Sequence, residues 1–193
     1  DTSPGAGSGN DRRGGGMLTY GAPAIRNCTF TQNKGYFGGG LYPRGSATAT
    51  GVIIEDCVFD NNDGYQGGGI YILAGVATIS DCVFVSNQAS NRGGAIYNNT
   101  TSNNIMNCDF SFNSVPTSAG GALTIRNGND DDIDPVNVVN CTFEQNDAGF
   151  GGALAVYDSK SIANFTACDF TQNNAATSGG ATTNGFGATS NFT

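Results

Sequence analysis

Apolar and polar residues alternate in short bursts along this chain, and the bursts recur. The clearest is Cys82-Val83-Phe84-Val85-Ser86-Asn87, a C-x-F-x-x-N pattern that occurs six times, starting at Cys28, Cys57, Cys82, Cys108, Cys141 and Cys168. The copies are separated by steps of 29, 25, 26, 33 and 27 residues, a period that suits a solenoid. Within each copy Cys and Phe lie two apart, and residues two apart on a strand share a face. All six cysteines are therefore expected to point inward with Phe30, Phe59, Phe84, Phe110, Phe143 and Phe170. The residues between them, Thr29, Val58, Val83, Asp109, Thr142 and Asp169, are mixed and mostly polar, as a solvent-facing row should be. The pattern predicts one short strand at this point in every repeat.

Three residues after each Phe stands an asparagine: Asn33, Asn62, Asn87, Asn113, Asn146 and Asn173. The strand has to turn there. Asn tolerates left-handed backbone and bonds neighbouring amides, so stacked turns should align these side chains in a ladder. A diglycine follows five to seven residues on, from Gly38-Gly39 to Gly179-Gly180, and supplies a second bend that side chains would obstruct. Leu41, Ile70, Ile96, Leu123 and Leu154 then return the chain to the core. One such unit is too short to bury its own apolar face and must stack on its neighbours. A helical solenoid would need apolar residues at spacings of three and four among good helix formers, whereas this chain is rich in Gly, Asn, Thr and Ser. The remaining reading is an all-β parallel β-helix of about six full coils plus partial end coils, with like residues of successive turns about 4.8 Å apart.

The tetrapeptides F-x-x-N (30–33, 59–62, 84–87, 110–113, 143–146 and 170–173) and G-G-A-[IL] (93–96, 120–123 and 151–154) resemble the repeats of the polymorphic outer-membrane protein family over nearly the whole chain. The resemblance implies a right-handed parallel β-helix on a bacterial cell surface, usually an adhesin passenger carried by an autotransporter. The family's C-terminal membrane barrel has no counterpart among these residues. Fold transfers well across such a resemblance and function poorly.

The repeats run from about Gly14 onward with no linker long enough to separate two units, so one solenoid domain is expected over 1–193. Residues 1–13 read as a Gly/Ser-rich partial coil or an N-terminal extension. The last coil is incomplete, since Asn191-Phe192-Thr193 falls just short of a seventh cysteine, and the opening at Asp1 reads as a processed or cut chain. With 30 glycines, no Trp or His and only 12% charged residues, the composition is one of turns and thin stacked sheets. The net charge of −8 disfavours nucleic acid and anionic membrane surfaces as partners. No apolar run approaches the roughly 20 residues of a membrane span.

Five groups of residues carry candidate chemistry. The acidic loop between Cys108 and Cys141 holds Asp130, Asp131, Asp132 and Asp134, enough oxygen ligands to consider Ca²⁺ although the EF-hand spacing is absent; a solvated surface loop is the plainer reading. The six cysteines are even in number, but side chains aligned in parallel coils point the same way, which favours free buried thiols over bridges. They contain no C-x-x-C pair and have no histidine to help them hold a metal. Sequons occur at Asn27, Asn98, Asn99, Asn140, Asn164 and Asn191, with Asn27 and Asn140 placed outward beside inward cysteines. The basic residues Arg12, Arg13, Arg26, Lys34, Arg44, Arg92, Arg126 and Lys160 read as scattered. The carboxylate pair Asp56/Asp81 belongs to a polar row (Asn27, Asp56, Asp81, Asn107, Asn140) more simply read as an outer stripe than as a glycosidase pair.

These readings converge on a noncatalytic extracellular or cell-surface structural protein without cofactors, a fibre subunit stacking head to tail on itself. Two alternatives remain: an adhesin passenger that binds glycans or host-surface molecules, and a polysaccharide-active β-helix enzyme.

Overall fold

The computed structural model describes residues 13–44, 51–73, 75–100, 102–127 and 134–193. Each coil contributes four short strands. In the first coil these are Met17–Tyr20, Ala24–Arg26, Thr29–Thr31 and Lys34–Phe37, and the pattern repeats until Thr182–Gly185 and Thr189–Phe192 open a seventh coil. Equivalent strands pair in parallel, giving four sheets along the rod: two of seven strands and two of six. The first sheet begins after each diglycine, the second leads into each cysteine, the third carries C-x-F, and the fourth runs from the asparagine to the next diglycine. The third sheet keeps strict register from Phe30 through Phe59, Phe84, Phe110 and Phe143 to Phe170.

The core lies inside the coils and is made of columns. Consecutive rings of the Phe column sit 4.8 to 5.0 Å apart and within 5° of parallel, from Phe30 to Phe170. Facing it are Leu41, Ile70, Ile96, Leu123 and Leu154 of the first sheet and Ile25, Ile54, Ile79, Ile105, Val138 and Phe165 of the second. The fourth sheet contributes small residues, with Ala89, Val115 and Ala148 forming a thin cluster of their own. Its strands grow from four to six residues between Asp63–Gln66 and Ser114–Ala119, and the pairing shifts register there to absorb the extra length.

The turns depart from expectation in one respect. Left-handed backbone falls not on the ladder asparagines but one residue earlier, at Gln32, Asn61, Ser86, Phe112, Gln145 and Gln172, all with φ between 52° and 57°. A second left-handed position precedes each cysteine: Asn27, Asp56, Asp81, Asn107, Asn140 and Ala167. The bend at the earlier residue aims the asparagine side chain into the interior, where Asn62, Asn87, Asn113 and Asn146 are buried. At the diglycine corner the two glycines have different duties. Gly93 takes φ 62°, while a Cβ on Gly94 would lie 2.0 Å from the Gly121 carbonyl oxygen of the next coil. The first glycine makes the bend, and the second lets the coils close on each other.

Candidate functional site

Each buried ladder asparagine is held by the coils before and after it. Asn87 Oδ1 accepts from Asn62 N (3.1 Å) and Asn62 Nδ2 (2.9 Å), and Asn87 Nδ2 donates to Phe59 O (2.8 Å) and Asn113 Oδ1 (3.0 Å). Two donors and two acceptor sites are all used, which is the full capacity of a primary amide. The pattern continues unbroken from Asn33 to Asn173. The cysteine column is tied down in a similar way. All six thiols are free, and each Sγ donates to the carbonyl two residues earlier, as Cys82 does to Ser80 O at 3.1 Å. The four central thiols are buried while Cys28 and Cys168 at the ends are half-exposed, and burial pushes the Cys57 thiol up from its ordinary pKa.

The structure separates the six sequons. Asn98 is fully buried; its Nδ2 donates to Thr100 O at 2.7 Å and its Oδ1 accepts from Asn103. Asn99 is half-buried with its Oδ1 sealed from solvent. Asn164 belongs to a second, outer amide ladder on the second sheet, in which Asn137 donates to Asn104, Asn164 to Asn137, and Asn191 to Asn164. Asn27, Asn140 and Asn191 are exposed.

Asp56 and Asp81 occupy the left-handed corner before the cysteine, the place that Asn27, Asn107 and Asn140 fill in other coils. Short side chains that hydrogen-bond locally tolerate this backbone best, so the conformation alone accounts for their presence. Among the acidic-loop candidates, Asp130, Asp131 and Asp132 lie outside the described residues. Asp134 is exposed and accepts from Ser102 Oγ at 3.2 Å. Among the described residues no group of three or more Cys, Asp or Glu is placed to hold a metal ion.

One constellation escaped the sequence reading. The outer faces of the fourth and first sheets meet at the diglycine corner, and there Tyr42, Tyr71 and Tyr97 form a second small core outside the coil, packed against Phe37. Phe37 lies 4.7 Å from Tyr71, and Tyr71 stacks on Tyr97 at 5.3 Å. Burial pushes the Tyr71 phenol well above its ordinary pKa. Two of the arginines that read as scattered in sequence reach adjacent residues, Tyr157 and Asp158. The Arg92 guanidinium sits 5.3 Å from the Tyr157 ring centre, its Nε buried without an acceptor, and Arg126 pairs with Asp158 at 2.5 Å. Hydrogen bonding to Asp158, then to Tyr97, raises the Arg126 pKa. Phe186 stands 6.2 Å from Tyr157, 80% exposed on left-handed backbone with φ 54°. A sequence signal for this corner did exist: the diglycine motif extends to G-G-G-L-Y, G-G-G-I-Y and G-G-A-I-Y at 38–42, 67–71 and 93–97. Its tyrosines fall at outward positions of the strand, which the pattern of inward-facing residues passes over.

Stacked parallel coils with internal Phe and Asn columns define a parallel β-solenoid. The family described as a right-handed beta helix region matches residues 17–192, and the chain belongs to that family. No curated protein and no solved structure matches it.

Proposed function

We propose that this chain is a noncatalytic structural rod of an extracellular or cell-surface assembly, extended by head-to-tail stacking of its own copies. The observation that carries the reading is the continuity of the columns. Phe rings, asparagine amides and thiols keep one spacing and one orientation from the first coil to the last, so the interior chemistry serves cohesion along the axis. Among the described residues the outermost strand of each sheet has a neighbour on one side, and parallel pairing of this kind can add a further coil of the same type. A second copy would offer matching columns, and such a heterologous contact propagates without closing. Sedimentation and electron microscopy of the chain at rising concentration test this. Rods whose length grows with concentration are expected, and a monodisperse monomer at high concentration would overturn the reading.

The corner between the first and second sheets, where Tyr157 ends its strand and Phe186 follows Thr182–Gly185, favours a second reading, an adhesin-like binding surface. Phe186 and Tyr157, flanked by Arg92 and by the Arg126–Asp158 pair, present aromatic faces beside hydrogen-bond donors and acceptors, the combination that suits glycans or host-surface molecules. A glycan array probed with the chain and with Phe186→Ala separates this reading from the first: binding lost in the variant supports it, and no binding by either chain rejects it.

A further inference from the structure

Two of the six sequons are copies of one another. Asn27-Cys28-Thr29 and Asn140-Cys141-Thr142 occupy the same corner of the coil, each asparagine at φ 53°, each cysteine turned toward the interior and each threonine at the first outward position of the third sheet. They differ in what their side chains already hold. Asn140 Nδ2 donates to Asn107 Oδ1 at 2.9 Å, and Thr142 Oγ1 donates to Asp109 Oδ1 at 2.6 Å. Asn27 and Thr29 are exposed, and neither side chain makes a hydrogen bond. The remaining sequons are less open: Asn98 is locked inside, Asn99 has its carbonyl oxygen sealed, and Asn164 and Asn191 spend their amides on the outer ladder.

We propose that Asn27 is a site of N-linked glycosylation. The donor class is a lipid-pyrophosphate-linked oligosaccharide. Asn27 Nδ2 attacks C1 of the first sugar, the C1–O bond to the pyrophosphate breaks, the new C1–N bond forms, the amide loses one proton, and the lipid pyrophosphate leaves. Thr29 completes the acceptor motif from the adjacent strand position. A glycan at Asn27 displaces no hydrogen bond of its side chain. The same addition at Asn140 would crowd the Nδ2 that already donates to Asn107 Oδ1, and at Asn98 it would have to empty a buried site. The glycan would stand on the outer surface of the first coil, clear of the columns and beside the Thr29–Thr31 strand, the outermost of its sheet among the described residues.

The inference rests on the extracellular reading for its natural setting, because the donor meets a chain only in a secretory compartment. Secretion of the chain from a eukaryotic host supplies that compartment in any case, so the result reports on the site and not on the native location. The secreted protein is treated with peptide-N-glycosidase in ¹⁸O water and its peptides are read by mass spectrometry, with a cooperative melt confirming the fold. Heavy-oxygen aspartate at position 27 is expected in the majority of molecules, with Asn98 and Asn164 unmodified. Asn27→Gln and Thr29→Ala should each remove that glycan without changing the melt, and Thr29→Ser should retain it. An unmodified Asn27 in folded, secreted protein overturns the proposal, as does a glycan at Asn98 or Asn164 with Asn27 empty.

Discussion

An asparagine in the inner ladder is worth more than its size suggests, because removing it leaves partners behind on both sides. In Asn87→Ala, Asn62 N–H and Nδ2 lose their acceptor and the Phe59 carbonyl loses its side-chain donor, all of them buried. Each buried group left unsatisfied costs about 1–3 kcal/mol. The variant should therefore be destabilised at least as much as Phe84→Ala, for which an emptied aromatic position costs about 3–5 kcal/mol. Val83→Thr, outward on the same strand, should stay within about 0.5 kcal/mol of the parent. Urea midpoints for the three variants check the ranking, and a Val83 variant less stable than the Phe84 one would invert the inward assignment. The thiols add a chemical readout. A bulky aromatic disulfide reagent should titrate Cys28 and Cys168 first and reach the other four only after denaturation, since those are buried and bonded to carbonyls.

At the level of strands and turns, the C-x-F strand and the diglycine bend were legible because side-chain chemistry marks them in every coil. The left-handed positions were not. Gln32, Asn61, Ser86, Gln145 and Gln172 are polar but of no single type, and Phe112 breaks even that pattern, because closure of the coil imposes their backbone and the side chain merely tolerates it. Phe112 tolerates it worst, a bulky ring on left-handed backbone and 54% exposed. Phe112→Asn should therefore stabilise the protein by about 0.5–1 kcal/mol, read as a raised melting temperature, because Asn accepts this conformation at little cost. The aromatic and arginine corner was illegible for a different reason. Arg92 and Tyr157 lie in different coils and at different places in the repeat, so no spacing within one repeat marks their contact. Of the candidate site, the sequence marked the sequons but could not tell Asn27 from Asn140, whose difference is one hydrogen bond to a neighbouring coil.

For the whole molecule, nearest-neighbour stacking makes stability a property of position along the rod. Central coils have partners on both sides and end coils on one, so amide exchange should be slowest in the strands holding Phe59, Phe84, Phe110 and Phe143. It should be fastest at Asp169–Thr171 and Asn174–Ser178, where the interior is already exposed. Hydrogen-exchange mass spectrometry reads this gradient directly, and uniform protection along the rod would count against it. The ion pairs Arg26–Glu55, Lys34–Asp63 and Arg126–Asp158 are partly exposed and should contribute little to the gradient. The amide column gives the rod a direction as well. Each asparagine leaves two donors open until the following coil arrives with its oxygen, and that coil brings an Nδ2 that closes onto the carbonyl of the coil before it. The column runs one way only, from the amino end to the carboxyl end, which is also the order in which the chain is made. A growing chain can thus close like a zip drawn from its first tooth: every new turn silences the groups the last one left open, and the exposed end is always the newest.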